Sequence, residues 1–379
     1  MSRLVLLGAA EPHLFVLDAI RRGRLRGTDL TLVADLTPEP WPPMVAGLAS
    51  GRYELGETLP DVPALAAAAG IRRITTRAAG IDAGKRTIHL EDGSEVPWDV
   101  LSISLPPEPS RCPGLESSLA GRPGSSVSAI AERLAALAEI PGPHSIVVAG
   151  GGMRGIELAC AVRRRLATLG RENDRVTIVE REGQLLPEFS ARGAAAVERV
   201  LDRQRIGIAT GTAVVGGEGN SVQLSHGGSM RADLVLWAVT ATPAPMLRTS
   251  GLEADSAGRV VTDAGLRSVS HPAVLAAGAG ARVREGALDH AAGSRQDARA
   301  ADRRSRPARR DGAALVRALT AALSGDFTSL HRPSRPLATF LDTSDGRALV
   351  FGKTATVHSR AALYLKERRD RELLQRLRA

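Results

Sequence analysis

At 379 residues the chain is longer than one hydrophobic core usually organises, so two domains with a small appendage are expected. Hydrophobic residues at 43% and charged residues at 24% exclude wholesale disorder. The net charge of +9 does not point to nucleic acid: all basic residues but Lys85, Lys353 and Lys366 are arginine, a bias typical of GC-rich genomes, and stacking aromatics are only 3%.

Arg3–Leu7 reads as a strand, followed by a small-residue turn at Gly8, a helix over His13–Arg22 and a second strand over Leu30–Val33. The apolar start is too short for a signal peptide and no later stretch reaches membrane-span length, so a cytoplasmic protein without a transmembrane segment is expected. Residues 87–101 read as a hairpin with a Gly-centred turn, then Asp99 and a buried strand. Pro141-Gly142-Pro143 is a linker. The opening order then recurs as a strand Ser145–Ala149, a turn Gly150–Gly155, a helix Ile156–Leu166 and a strand Val176–Val179. Residues 221–235 match 87–101 at a constant offset of 134 positions, which keeps Asp233 in register with Asp99. Two homologous strand–turn–helix–strand domains follow from this, each built on a parallel sheet.

An Arg-rich insertion at 282–310 lacks large apolar side chains and reads as a solvated segment. Helix resumes at Ala313–Leu323 and stops at Ser324-Gly325. The tail holds a hairpin around Asp345-Gly346 and a charged final helix. Its Leu363, Leu373, Leu374 and Leu377 favour docking on the protein's own body, with peripheral membrane contact as the alternative. Cys112 and Cys160 form neither a CxxC nor a metal-type cluster, so no disulfide framework and no metal site are expected.

The chemistry concentrates in Gly150-Gly151-Gly152-Met153-Arg154-Gly155, a full GxGxxG after a strand and before a helix. Gly150 allows the tight turn, Gly152 lets backbone approach a pyrophosphate, and Gly155 lets the helix pack on its strand. The helix N-terminus then offers unpaired N–H groups to the phosphates. Glu180, closing the next strand, suits the ribose hydroxyls of NADH and repels a 2′-phosphate, while Arg181 leaves NADPH as an alternative. Glu157, early in the same helix, completes the candidate set of this loop. The matching turn of the first half, Gly8-Ala9-Ala10-Glu11-Pro12-His13, keeps only the first glycine. Ala10 puts a methyl group where backbone should meet a pyrophosphate, Pro12 removes a donor, and Asp35 is the nearest carboxylate after Ala34 replaces the strand-end acid. His13 reads as a cap or packing group of the first helical turn.

On these segments the chain resembles the pyridine nucleotide-disulfide oxidoreductase superfamily, and within it the type II NADH dehydrogenase-like flavoprotein module found fused to bacterial selenophosphate synthetases. Matching stretches include Trp41–Tyr53, Trp98–Ile103, Ile146–Ala159, Leu234–Ala238 and Leu266–Gly278. The resemblance implies an α/β fold with two Rossmann-like domains, the second inserted in the first. It places an FAD-type domain at 1–118 and 248–330, an NAD(H)-binding domain at 119–247, and a C-terminal α+β segment at 331–379. It also implies hydride transfer from NADH through FAD to a small-molecule electron acceptor, a quinone or a free flavin. Gly8, Ala10, His13, Asp35, Gly278 and Ala279 then mark the flavin side. Departures gather there: the family's Asp after Ala276-Ala277-Gly278 is Ala279, its glycine after the strand following Asp99 falls on Pro106, its Ala-Thr-Gly is Ala238-Val239-Thr240, and its Arg-Gln-Gly is Arg310-Asp311-Gly312. No CxxxxC supports disulfide reduction. FAD is therefore expected to be weak or lost. The rivals are a non-enzymatic NAD(H)-binding sensor or scaffold, and an interaction module using the Arg-rich insertion.

Overall fold

The computed structural model describes residues 2–378 except 26, 109–111, 116–118, 121–124, 188, 240–241, 285–307, 327–337 and 353–354. Most of the Arg-rich insertion, and Thr240, thus lie outside the described residues. Two five-stranded parallel sheets carry the molecule. The first has the order Val274–Ala276, Val100–Ile103, Arg3–Leu7, Asp29–Val33, Arg72–Ile74. The second has the order Leu119–Ala120, Leu234–Trp237, Ser145–Ala149, Arg175–Glu180, Ile206–Thr210. In each, the strand before the glycine turn lies between the next strand of its repeat and the strand that follows the hairpin.

The repeated aspartates have a physical reason to stay in register. Asp99 Oδ2 accepts the N–H of Arg3 at 2.8 Å, and Asp233 Oδ2 accepts the N–H of Ser145 at 2.8 Å. In return each aspartate donates its own N–H to the carbonyl of the same partner. Each carboxylate thus pins the first residue of the central strand to the strand beside it, and Arg3 holds the Asp99 carboxyl at about 2. The hairpins are in fact three-stranded antiparallel sheets, Ala78–Asp82 with Thr87–Leu90 and Glu95–Pro97, and Val214–Glu218 with Ser221–Leu224 and Ser229–Arg231. Both bulge opposite the same positions, Leu90/His89 and Leu224/Gln223.

The helices begin earlier than the apolar patterns suggest. They span Glu11–Arg21 and Met153–Thr168, because the last residues of each turn already belong to the first helical turn. Helix Ala308–Leu323 likewise starts before Ala313, and Gly312 packs so closely on the first helix that a side chain there would run into Phe15.

The tail forms a three-stranded antiparallel sheet, Thr339–Asp342, Ala348–Phe351 and Thr356–Ser359, and a helix Arg360–Arg376 capped by Ser359. This segment ties the two cores together. Leu341, Leu349 and Phe351 join the core of the second sheet, with Phe351 against Phe189 at 4.6 Å between ring centroids. Leu374 and Leu377 join the core of the first, and Arg376 pairs with the fully buried Asp18. Among the described residues no helix is long and apolar enough to cross a membrane, and no cluster of His, Cys, Asp or Glu could hold a metal ion.

Candidate functional site

Gly150 leaves strand Ser145–Ala149 at φ 112°, a conformation that costs a side chain dearly, and a Cβ there would meet the Ala238 carbonyl oxygen at 2.7 Å. A Cβ on Gly155 would fall onto the Gly150 carbonyl oxygen, so only glycine lets this helix start against the strand end. Gly151 is enclosed by Leu185 and Glu180. Gly152, the N-cap at φ −74° and ψ 176°, differs from these: its backbone suits any residue, and a Cβ on it would meet nothing within 4 Å. No steric demand of the fold explains that glycine. It stands at the open helix N-terminus, where the sequence motif expects backbone to approach a pyrophosphate.

Glu180 lies where the motif needs it. Its carboxylate accepts the N–H of Gly151 through Oε2 and the N–H of Glu182 through Oε1 at 2.9 Å. The acid is thereby preoriented at the edge of the loop. Arg181, largely exposed at 78% of its side chain, lies 3.9 Å from Glu182 rather than across the loop.

The first turn keeps the backbone of such a site and changes its lining. Gly8 has φ 88°, and a side chain there would collide with the Ser104 carbonyl. Gly278 has φ 78° and approaches Pro12, whose Cγ is 3.6 Å from where a side chain would begin. Gly8, Ala10 and Gly278 thus converge, with Ala279 exposed beside them. The buried Ser104 hydroxyl, which has no partner among the described residues, lies next to this turn.

The position of the third glycine, however, is filled by the fully buried His13. Its Nδ1 lies 2.6 Å from the Gly8 carbonyl oxygen and its Nε2 2.8 Å from the Ser102 hydroxyl, so the ring cross-links turn and neighbouring strand. Burial lowers its pKa to about 4 and keeps it neutral. The packing role expected for His13 is the one observed. The Ala10 N–H is taken by the Ser104 carbonyl at 3.1 Å, and Pro12 has none to give. Glu11 adds a carboxyl to the first helical turn, its pKa raised by burial against a lowering influence from Arg154. Asp35 is turned to Thr37, whose N–H and hydroxyl it accepts at 3.0 and 2.7 Å. This lining fits a tightly held flavin dinucleotide poorly: the Ala10 N–H is already engaged, Pro12 has none, and Glu11 adds a carboxyl to the first helical turn.

Glu157 does not face the glycine loop. Its Oε1 accepts the N–H of Asp342 in the tail hairpin at 2.9 Å. Enclosure by protein pushes its pKa up to about 7, against the pull of Lys366. Lys366, itself buried, donates to the Pro43 carbonyl and to Asp370 Oδ2, and Arg52 pairs with Asp342 and with Glu367 at 3.1 Å. Burial would lower the Lys366 pKa, but Asp370, Glu157 and Asp342 outweigh it and hold the amine charged. This charged junction of helix Met153–Thr168 with the tail was not read from the sequence. Its one local signal is a lysine in an arginine-dominated chain.

A family model described as pyridine nucleotide-disulphide oxidoreductase matches residues 19–298. The chain is 26% identical over 243 residues to the NADH dehydrogenase-like protein MT1860 of Mycobacterium tuberculosis, covering 62% of this chain and 59% of that protein. It is 27% identical over 303 residues to the demethylphylloquinone reductase NdbB of Synechocystis, covering 75% and 72%. Among solved structures, the sulfide:quinone oxidoreductase of Aquifex aeolicus superposes with a TM-score of 0.80 at 16% identity, covering all of this chain and 92% of that one. NDH2 of Plasmodium falciparum in complex with NADH superposes at 0.79 and 12% identity, covering all of this chain and 96% of that one. The doubled parallel sheets, the repeated turn and these matches agree: the chain belongs to the pyridine nucleotide-disulphide oxidoreductase family, whose members are FAD- and NAD(H)-dependent oxidoreductases.

Proposed function

We propose that this protein is an NADH-dependent oxidoreductase in which NADH is held by the second domain, and in which a flavin is a loosely held, exchangeable partner rather than a fixed prosthetic group. The observation that carries the first half is the pairing of an unobstructed Gly152 with a preoriented Glu180 across the Gly150–Gly155 loop. Gly150, Gly152 and Gly155 would admit the pyrophosphate, the N-terminus of helix Met153–Thr168 would supply N–H groups to it, and Glu180 would take the ribose hydroxyls. Glu180 also sets the preference for NADH, since a carboxylate at that place repels a 2′-phosphate. When bound, NADH supplies a hydride, two electrons with one proton, that leaves NAD+ behind. The chain's contribution is to place that nucleotide, while the Asp342 N–H donated to Glu157 ties helix Met153–Thr168 to the tail.

The acceptor is a small molecule, a free flavin or a quinone. The quinone option is supported by relatives named as a demethylphylloquinone reductase and a sulfide:quinone oxidoreductase. The test is steady-state NADH oxidation by desalted protein with added FAD, with a soluble quinone, and with both. NADH consumption that requires one of them supports the reading. A second reading, NAD(H) binding without turnover, is favoured by the altered first turn, and the same assay separates the two: nucleotide binding with no oxidation under any acceptor supports it.

A further inference from the structure

Helix Ala191–Arg203 and the tail hairpin border an open surface groove of about 370 Å3 that the NADH reading leaves without a role. Arg199, Arg203 and Arg347 line it, His358 lies among them, and Ala196 and Leu349 give it an apolar floor. That volume suits a small metabolite. Arg203 is three residues before Ile206, which pairs with Val176 at the start of its strand, whereas Glu180 pairs with Thr210 at the far end. Four residues of strand separate these levels by roughly 13 Å, so the Arg203 end of the groove lies at the opposite edge of the sheet from the glycine loop.

The three guanidinium groups of this groove have no carboxylate in an ion pair with them among the described residues. Arg199 and Arg203 are four residues apart on one helical face, a like-charge spacing that disfavours the helix. Unlike Arg52, Arg171, Arg259 and Arg376, neither they nor Arg347 make an ion pair among the described residues. Arg203 donates to His358 Nδ1 at 3.2 Å. His358 Nε2 is 3.0 Å from the Thr343 hydroxyl and 3.6 Å from Asp345 Oδ1. That carboxylate is the near counter-charge, and it already accepts the Thr343 hydroxyl and the Arg347 N–H. Burial, and then Arg203 and Arg347 against the pull of Asp345, hold the His358 pKa below its ordinary value, so two guanidinium groups act on one imidazole.

We propose that this groove binds a compact phosphate-bearing anion, its phosphate between Arg199, Arg203 and Arg347 and its organic part on Ala196 and Leu349. Guanidinium groups suit this task because each offers paired N–H donors to phosphate oxygens, and Arg203 is already steadied by its hydrogen bond to the His358 imidazole. The site is independent of the NADH reading and stands or falls separately from it.

The experiment is calorimetric titration of the full chain with inorganic phosphate and, separately, with glycerol 3-phosphate, each with and without NADH. Both probes bind, the ester more tightly because of the apolar floor, and both weaken as salt is raised. Arg203→Gln and Arg347→Gln each weaken the ester about tenfold while the thermal unfolding midpoint, the check on folding, stays unchanged. The His358 imidazole resonances shift on addition of the ester. No binding of either probe overturns the proposal, as does undiminished ester binding by a variant carrying both substitutions.

Discussion

Gly152→Ala separates a glycine required by the ligand from glycines required by the fold. The backbone at Gly152 is ordinary, and a Cβ there touches nothing within 4 Å. The cost to folding is then limited to the weaker N-cap preference of alanine, about 1 kcal/mol or less. The methyl group nevertheless projects into the space that a pyrophosphate must enter to reach the helix N-terminus. Displacing it removes one or two charge-assisted hydrogen bonds of about 1.5–3 kcal/mol each, so NADH should bind at least tenfold more weakly. Gly155→Ala is the contrast, because its methyl group lands on the Gly150 carbonyl and must move the helix itself. Thermal unfolding and NADH calorimetry on both variants decide the matter. The reasoning is refuted if Gly152→Ala binds NADH like the parent, or if it loses as much stability as Gly155→Ala.

Three further outcomes follow from the same geometry. Glu180→Ala should weaken NADH by about 1–3 kcal/mol, since it removes the ribose acceptor and releases the N–H groups of Gly151 and Glu182; equal calorimetric affinities would rule the assignment out. His13 is neutral in the folded protein with a pKa near 4 against 6.5 for the free side chain, so the unfolded chain takes up its proton first as pH falls. Stability should therefore decline from about pH 6.5 towards pH 4, by on the order of 3 kcal/mol, in denaturant titrations of the parent, and His13→Asn should flatten that dependence. Restoring Ala10→Gly together with Ala279→Asp should tighten FAD at least tenfold, the worth of one charge-assisted hydrogen bond, in equilibrium dialysis; an unchanged affinity would show that other residues limit the site.

The parts of this account that were legible in the sequence share one property: their cause is local or repeated. Asp99 and Asp233 stand in register because each holds the N–H of its central strand, a contact both repeats need. The Gly150–Gly155 loop was legible because Gly150, Gly151 and Gly155 each answer a steric demand within one strand, turn and helix, and Gly152 completes the motif at the open N-cap. The helix starts are less legible, because Glu11 and Met153 belong to the turn in the sequence pattern but to the helix in hydrogen bonding. The junction of Glu157 with Asp342 and Lys366 was out of reach for the opposite reason. Its partners are separated by 185 residues in the contact with Asp342, and by 323 in the contact of Lys366 with Pro43. Helix Ala191–Arg203 has a readable stripe of Ala194, Val197, Val200 and Leu201, yet the aromatic it meets beside Gly193 is Phe351 of the distant tail.

The central claim is an NADH-dependent oxidoreductase whose flavin exchanges. It is tested most directly by recording the flavin absorption of the purified protein after exhaustive desalting, and then its NADH oxidation as FAD is titrated back. The account predicts a nearly colourless protein that binds NADH and oxidises it with a saturable dependence on added flavin. Protein that stays saturated with FAD through desalting, and oxidises NADH at a rate indifferent to further FAD, would contradict it.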